Sequence, residues 1–205
     1  MEFTIFILVV ILFSIIIHEI AHGSMAYYLG DPTAKNAGRL TLNPLKHLDL
    51  FGSVILPLLL LISRSPFLVG WAKPVPINPF NFRDRRWDEL KVSLAGPSVN
   101  LLIAIIFGLA IRFFILPQSI FIAFSTIAFY NFLLAIFNLI PIPPLDGSWI
   151  LFALLSEKLT NVKLFLNQYG LYILIFFIFF GLNWVFLATV FLYSLITGHS
   201  PPSSY

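Results

Sequence analysis

Long apolar runs alternate with short polar connections along this chain, and the runs cover residues 3–29, 50–63, 92–116, 119–140 and 170–196. A helix needs about 20 residues to cross the ~30 Å hydrocarbon core of a bilayer. The first, third, fourth and fifth runs meet that length. The second stops after roughly fourteen residues at Ser63-Arg64-Ser65-Pro66. We therefore expect a re-entrant or half-buried helix there. The fifth run predicts one tilted helix, or one broken near Gly181-Leu182-Asn183. Stretches 33–42 and 67–77 differ in kind. Proline and glycine bound them, and Thr41, Leu42, Val69, Trp71 and Val75 are strand formers. The expected fold is an all-α polytopic membrane protein, a helical bundle with a re-entrant segment and a small membrane-surface β element. Residues 1–199 are expected to form one domain, with a flexible tail over 200–205.

Composition agrees with burial in lipid. Of 205 residues, 59% are hydrophobic and only 10% are charged, against about 25% charged in soluble domains. There is no cysteine, which excludes thiolate ligands, disulfides and cysteine catalysis. The net charge of +3 carries no nucleic-acid signal, and its distribution reports topology instead. If 50–63 does not cross and the other four runs do, then Lys35, Arg39, Lys46, Arg64, Lys73, Arg83, Arg85, Arg86, Lys91, Lys158 and Lys163 share one side. Arg112 alone lies toward the other. Basic residues mark the cytoplasmic face of a membrane protein, so both termini are expected outside the cell membrane. The start, Met1-Glu2-Phe3, has no basic residue and is not expected to be a cleaved leader.

Residues 18–22 read His-Glu-Ile-Ala-His, directly after the uncharged run Phe3–Ile17. On a helix His18 and His22 share a face, so both imidazoles can reach one zinc ion. Glu19 then lies beside the metal as general base for a zinc-activated water. The same pattern on a soluble helix can be a solvated face, but a bilayer offers none. An acidic residue at the centre of a membrane helix costs about 2.5 to 3.5 kcal/mol to insert, so these side chains point to a site. His18 lies about 22 Å along the helix from Phe3 at ~1.5 Å per residue, nearer the cytoplasmic face. Water must reach it through a polar cavity built by other segments.

A catalytic zinc takes three protein ligands and keeps one position open. His47, His199 and carboxylates are the candidates for the third, and His199 falls in the exterior tail. Asp146 is the only acid between Glu89 and Glu157. It follows the proline-rich break Asn138-Leu139-Ile140-Pro141-Ile142-Pro143-Pro144-Leu145 at the depth of the two histidines. On geometry alone, metal ligation and a helix cap for 147–156 stand level. His47 and Asp49 could touch the ligands or line the water path. We favour interfacial packing for His47 and capping of 50–63 by Asp49. Asn100 is read as a hydrogen-bonding residue between helices, and Asn138, eight residues before Asp146, as a substrate contact at the cavity mouth.

Three motifs carry a resemblance. His18-Glu19-Ile20-Ala21-His22, Leu94-Ala95-Gly96-Pro97-Ser98-Val99-Asn100 and the run from Asn138 to Gly147 ending in Leu-Asp-Gly look like the site-two protease family of intramembrane zinc metalloproteases. Spacing and order match over about residues 5–155. Asn43-Pro44-Leu45-Lys46-His47-Leu48-Asp49-Leu50-Phe51-Gly52 and Gly70-Trp71-Ala72-Lys73-Pro74-Val75-Pro76-Ile77-Asn78-Pro79 resemble its compact members, which lack PDZ and CBS domains. The resemblance implies one zinc per chain held by His18, His22 and Asp146, with Glu19 as catalytic base and Asn138 near the scissile backbone. It implies a transmembrane segment of another protein as substrate, often a regulator already trimmed elsewhere. A strand edge at 67–77 could hold that segment extended, or a hairpin there could merely wall the cavity. A metal-ion or proton transporter would also bury His, Glu and Asp in a membrane. Such proteins commonly show paired repeats with broken helices, and this chain shows none.

Overall fold

The protein is described here by a computed structural model covering residues 2–55, 58–59, 62–63 and 72–202. Its main helices are α1 (Glu2–Tyr28), α2 (Arg85–Phe113), α3 (Gln118–Asn138), α4 (Asp146–Leu154) and α5 (Thr160–Thr197). All but α4 are long and apolar enough to cross a membrane. The ends obey capping chemistry. Asp84 accepts the Trp87 N–H at the start of α2 (3.2 Å), and Gly198 closes α5 in the left-handed region at φ 76°. α5 settles the question of the fifth run. It is one unbroken helix of 38 residues, about 57 Å long at ~1.5 Å per residue, and Gly181 does not interrupt it. The helix outruns the bilayer core and begins ten residues before the apolar run does.

α2 is the centre of the bundle and packs against α1, α3, α4 and α5. Buried Ala104 and Gly108 on α2 and Ala128 on α3 let helix backbones approach. Phe129, Phe132 and Tyr193 fill the space between. Around the outside, Phe179 (75% exposed) and Trp184 (73%) head an apolar surface that also carries Phe176, Phe180 and Phe191. Water would not tolerate so broad an apolar face; hydrocarbon does. The helix ends are sorted as four antiparallel crossings require. Phe3, Gln118 and Pro201 line one cavity, and Arg112 donates to the Leu195 carbonyl near the end of α5 (2.8 Å). The starts of α1 and α3 and the ends of α2 and α5 thus share one end of the bundle.

The expected β element is corrected: the described residues contain no strand. Thr33–Asn36 is a single helical turn. Residues 72–78 form neither helix nor strand, and their donors show why. Pro74 and Pro76 have no N–H to give to a ladder. The N–H of Lys73 goes to the His47 carbonyl (2.8 Å), that of Val75 to Glu19 (2.7 Å) and that of Asn78 to Asp31 (2.7 Å). The Lys73 and Pro74 carbonyls accept from the Arg39 guanidinium. An incoming strand therefore finds no free donor at 73–76. Residues 67–71, and with them the rest of the proposed edge, lie outside the described residues. So do residues 56–57 and 60–61 of the second apolar run; Leu50–Ile55 forms one wide π-helical turn.

Asp31 ties this strap to the end of α1. The fully buried carboxylate accepts from the Thr33 hydroxyl and N–H, the Asn78 N–H and the Asn81 amide. Burial pushes its pKa up, but these hydrogen bonds, led by the Thr33 hydroxyl, outweigh burial and hold it below the ordinary aspartate value. The strap is thereby fixed across the cavity that holds the first motif.

Candidate metal centre

His18 and His22 lie one turn apart on the inward face of α1, both buried. Asp146, the first residue of α4, reaches them from 124 positions along the chain. His18 Nε2 is 3.0 Å from Asp146 Oδ2, and His22 Nε2 is 3.2 Å from the same oxygen. The two Nε2 atoms are 3.0 Å apart. Leu145, not Asp146, stands at the helix cap, and no side chain caps α4. Asp146 Oδ2 thus faces the two histidines.

The far side of each ring fixes what the near side offers. His22 Nδ1–H donates to the Val92 carbonyl (2.7 Å). His18 Nδ1–H donates to Asn100 Oδ1 (2.7 Å). In the neutral rings these bonds put the proton on Nδ1, and each Nε2 then turns a lone pair toward Asp146. Two bare nitrogens and a carboxylate at these separations repel one another unless positive charge lies among them. Tetrahedral zinc with ligand bonds of about 2.0–2.2 Å sets its ligand atoms roughly 3.3 Å apart, close to the spacing found. Neutral imidazoles with a carboxylate are also a donor set that zinc accepts. These residues fit the ion.

A cavity of about 460 Å³ opens onto the three groups, walled by Glu19, Val75, Glu89, Asn138 and Trp149 among others. Glu19 Oε2 accepts the Val75 N–H, which holds the carboxylate at the cavity wall beside the histidines. Asn138 donates through Nδ2 to the Leu134 carbonyl of its own helix (2.9 Å). Gly96 on α2 supplies the floor. A methyl group there would lie 2.4 Å from His22 Nε2 and 2.6 Å from His18 Nε2. Gly147 is pressed as closely on the chain itself, since a Cβ there would sit 2.2 Å from the Leu139 carbonyl oxygen.

The remaining expected residues separate. Asn100 contacts His18 directly and bridges helices as well. His47 is buried with Nε2 on the Thr41 carbonyl (2.8 Å) and is not among the walls of the cavity. Asp49 accepts the Gly52 N–H (2.7 Å) at the start of the π-helical turn, in the capping role favoured for it. Sequence reasoning missed Gly96, the Val75 N–H, the Val92 carbonyl, Ser14 and Asn131. The last two left a trace: they are polar side chains in otherwise apolar helices.

Comparison with known proteins agrees with this geometry. The model of peptidase family M50 matches residues 115–181, a segment that includes Asn138 and Asp146. "Putative zinc metalloprotease YwhC" of Bacillus subtilis is 42% identical over 151 residues, spanning 69% of this chain and 65% of that protein. "Putative zinc metalloprotease Rip2" of Mycolicibacterium smegmatis is 33% identical over 177 residues, 83% of this chain and 66% of that protein. "Zinc metalloprotease MJ0392" of Methanocaldococcus jannaschii is 37% identical over 75 residues, 37% of this chain and 22% of that protein. The chain spans just under two thirds of the length of the first two relatives. No solved structure matches it. Its four long apolar helices, the buried histidines of its His-Glu-x-x-His motif and these matches together identify the chain as an integral membrane protein that belongs to peptidase family M50, the site-two protease family.

Proposed function

We infer that the protein is a zinc-dependent intramembrane endopeptidase that hydrolyses peptide bonds in or near the transmembrane segments of other membrane proteins. The observation that carries this reading is the triangle of His18 Nε2, His22 Nε2 and Asp146 Oδ2, with sides of 3.0 to 3.2 Å, opening into a cavity beside Glu19. His18, His22 and Asp146 would hold one zinc per chain. Zinc so held supplies a Lewis acid that polarises the scissile carbonyl and lowers the pKa of water. Glu19 takes the proton of the attacking water and passes it to the leaving amine. The Val75 N–H engages one oxygen of Glu19, leaving the other for that proton. Asn138 lines the cavity, and in this reading its side-chain amide is the contact for the substrate backbone. The four apolar helices and the charge pattern support a site toward the cytoplasm and both termini outside. The natural substrate in this reading is a membrane-bound regulator, cleaved to release it.

Glu19→Gln separates metal binding from chemistry. The amide is close to the carboxylate in shape and is not a ligand, so zinc should stay at one per chain. Cleavage of a transmembrane substrate should fall about 100- to 10,000-fold, the usual worth of a positioned acid–base group. Membrane fractions from cells with this variant should accumulate uncut transmembrane fragments. Undiminished cleavage by zinc-loaded Glu19→Gln would overturn the reading. A variant that no longer cleaves but still carries ions across the membrane would identify a transporter instead.

Orientation has its own test. The chain contains no cysteine, so single cysteines report cleanly. Those placed at Lys35, Arg85 and Lys158 should label only from the cytoplasm, and those at Ser119 and Ser203 only from outside. Exterior labelling at Arg85 with cytoplasmic labelling at Lys35 would mean that 50–63 crosses the membrane.

A further inference from the structure

Two rings hold the site, and they are secured in different ways. His22 Nδ1–H donates to a backbone carbonyl, that of Val92, which cannot exchange its acceptor for a donor. His18 Nδ1–H meets only a side-chain amide, Asn100 Oδ1. A primary amide turned by half a circle presents N–H where oxygen stood. His18 would then have to accept at Nδ1, carry its proton on Nε2, and offer no lone pair to a metal. The site therefore depends on what prevents Asn100 from turning.

The preventing group is on the third helix. Asn131, fully buried on α3, donates through Nδ2 to the Ile127 carbonyl (2.8 Å) and to the Ser14 hydroxyl oxygen (2.9 Å). A carbonyl can only accept, so the nitrogen of Asn131 must face Ile127. Its Oδ1 must then face Asn100, where it accepts from Nδ2 (2.8 Å). That leaves Asn100 Oδ1 for His18. The other Asn100 hydrogen points to the Ser14 carbonyl at a looser 3.5 Å, so Asn131 is the firm constraint. One backbone carbonyl on α3 thus dictates, through two amides in series, which nitrogen of His18 bears the proton. Ser14, Asn100 and His18 are all buried as well, so bulk water is not at hand to substitute for a missing partner.

We propose that Asn131 is a positioning residue for the metal centre: it orients Asn100 and thereby fixes the tautomer in which His18 binds zinc. The proposal rests on the reading of His18 as a zinc ligand. It assigns a role to a residue that touches neither metal nor cavity.

The test uses the full chain, zinc-loaded and metal-free, in detergent. Outer contacts of this kind are worth roughly 10- to 100-fold in metal affinity. Asn131→Leu should therefore weaken zinc about 10- to 100-fold in competition with a chelator. Nitrogen NMR of labelled histidine resolves the tautomer directly, because the chain has only four histidines. In metal-free Asn131→Leu, the His18 proton should move in part to Nε2, while that of His22 stays on Nδ1. Asn131→Ser is the gentler alternative if the leucine variant does not fold. Its hydroxyl can donate or accept, so it cannot dictate the turn of Asn100, and zinc should weaken again. Ser14→Ala leaves Ile127 to orient Asn131 and should change affinity less than about twofold. A folded Asn131 variant with the His18 proton still on Nδ1 and wild-type zinc affinity would overturn the proposal. His18→Ala separates the two levels. If it loses zinc while the Asn131 variants keep it, the positioning role alone falls. If it keeps zinc, the metal-site reading falls with it.

Discussion

Gly96→Ala should strip the protein of zinc and abolish cleavage. The added methyl would sit 2.4 Å from His22 Nε2 and 2.6 Å from His18 Nε2, far inside van der Waals contact. Two of the three nearest atoms are the nitrogens that face Asp146, so the methyl competes for the space a shared ion needs. Neither ring can swing aside freely, because each is tied at Nδ1, to Asn100 and to Val92. Relief would have to come from moving α2, which packs against every other main helix. Local propensity runs the opposite way. Alanine is favoured over glycine inside a helix by roughly 0.5–1 kcal/mol. The metal-free variant should therefore fold and stay helical while purified protein holds far less than one zinc per chain. Elemental analysis together with circular dichroism checks both halves. One full equivalent of zinc with normal cleavage would show that α2 yields at Gly96 and that the floor of the site is soft.

What the sequence discloses about this site depends on whether a residue's partner is local. His18 and His22 are four apart on one helix, so their shared face follows from helical period alone. Asp146 is as easy to find, yet its partner is not local, and spacing left ligand and cap level. In the structure Leu145 stands at the cap and Asp146 faces the two histidines. Asn100 was legible as a polar residue between helices, but an amide in an apolar segment can face any of several neighbours, and the crossing of α1 over α2 selects His18. Asn131 is one step further removed, since its target is an amide whose own target is the ligand. Gly96 is harder still. A glycine before a proline within a helix says little until a second helix brings two imidazoles against it.

The same division explains the errors of fold. Thr41, Leu42 and Val75 favour strands by type, but a strand needs free N–H groups and a partner. Pro74 and Pro76 remove two donors, and Glu19 and Asp31 take others. Side-chain acceptors far away in sequence thus outcompete a ladder that local patterning predicted. α5 was read short for a simpler reason. Its first ten residues carry Asn161, Lys163, Asn167 and Gln168, which hide a helix that has run on past the hydrocarbon.

Asp146→Asn should cost the site its metal without costing the protein its fold. The substitution keeps shape and removes one negative charge. Zinc would then meet two neutral imidazoles and a neutral amide, with no anion in the set. An amide oxygen is a weaker ligand, and exchanging the carboxylate for an amide also offers N–H groups to the imidazole lone pairs. The loss should exceed the roughly 10- to 100-fold typical of contacts one step out from a metal, leaving well below one zinc per chain after dialysis. Helix stability is the control. Were Asp146 a cap, its loss would cost about 1 kcal/mol, but asparagine caps as well as aspartate does. Asp146 makes no cap hydrogen bond in any case. Thermal unfolding of the metal-free variant should therefore match that of metal-free wild type, while zinc-induced stabilisation, present in wild type, should vanish. Full zinc and full cleavage in Asp146→Asn would remove Asp146 from the ligand set and return the third position to another residue.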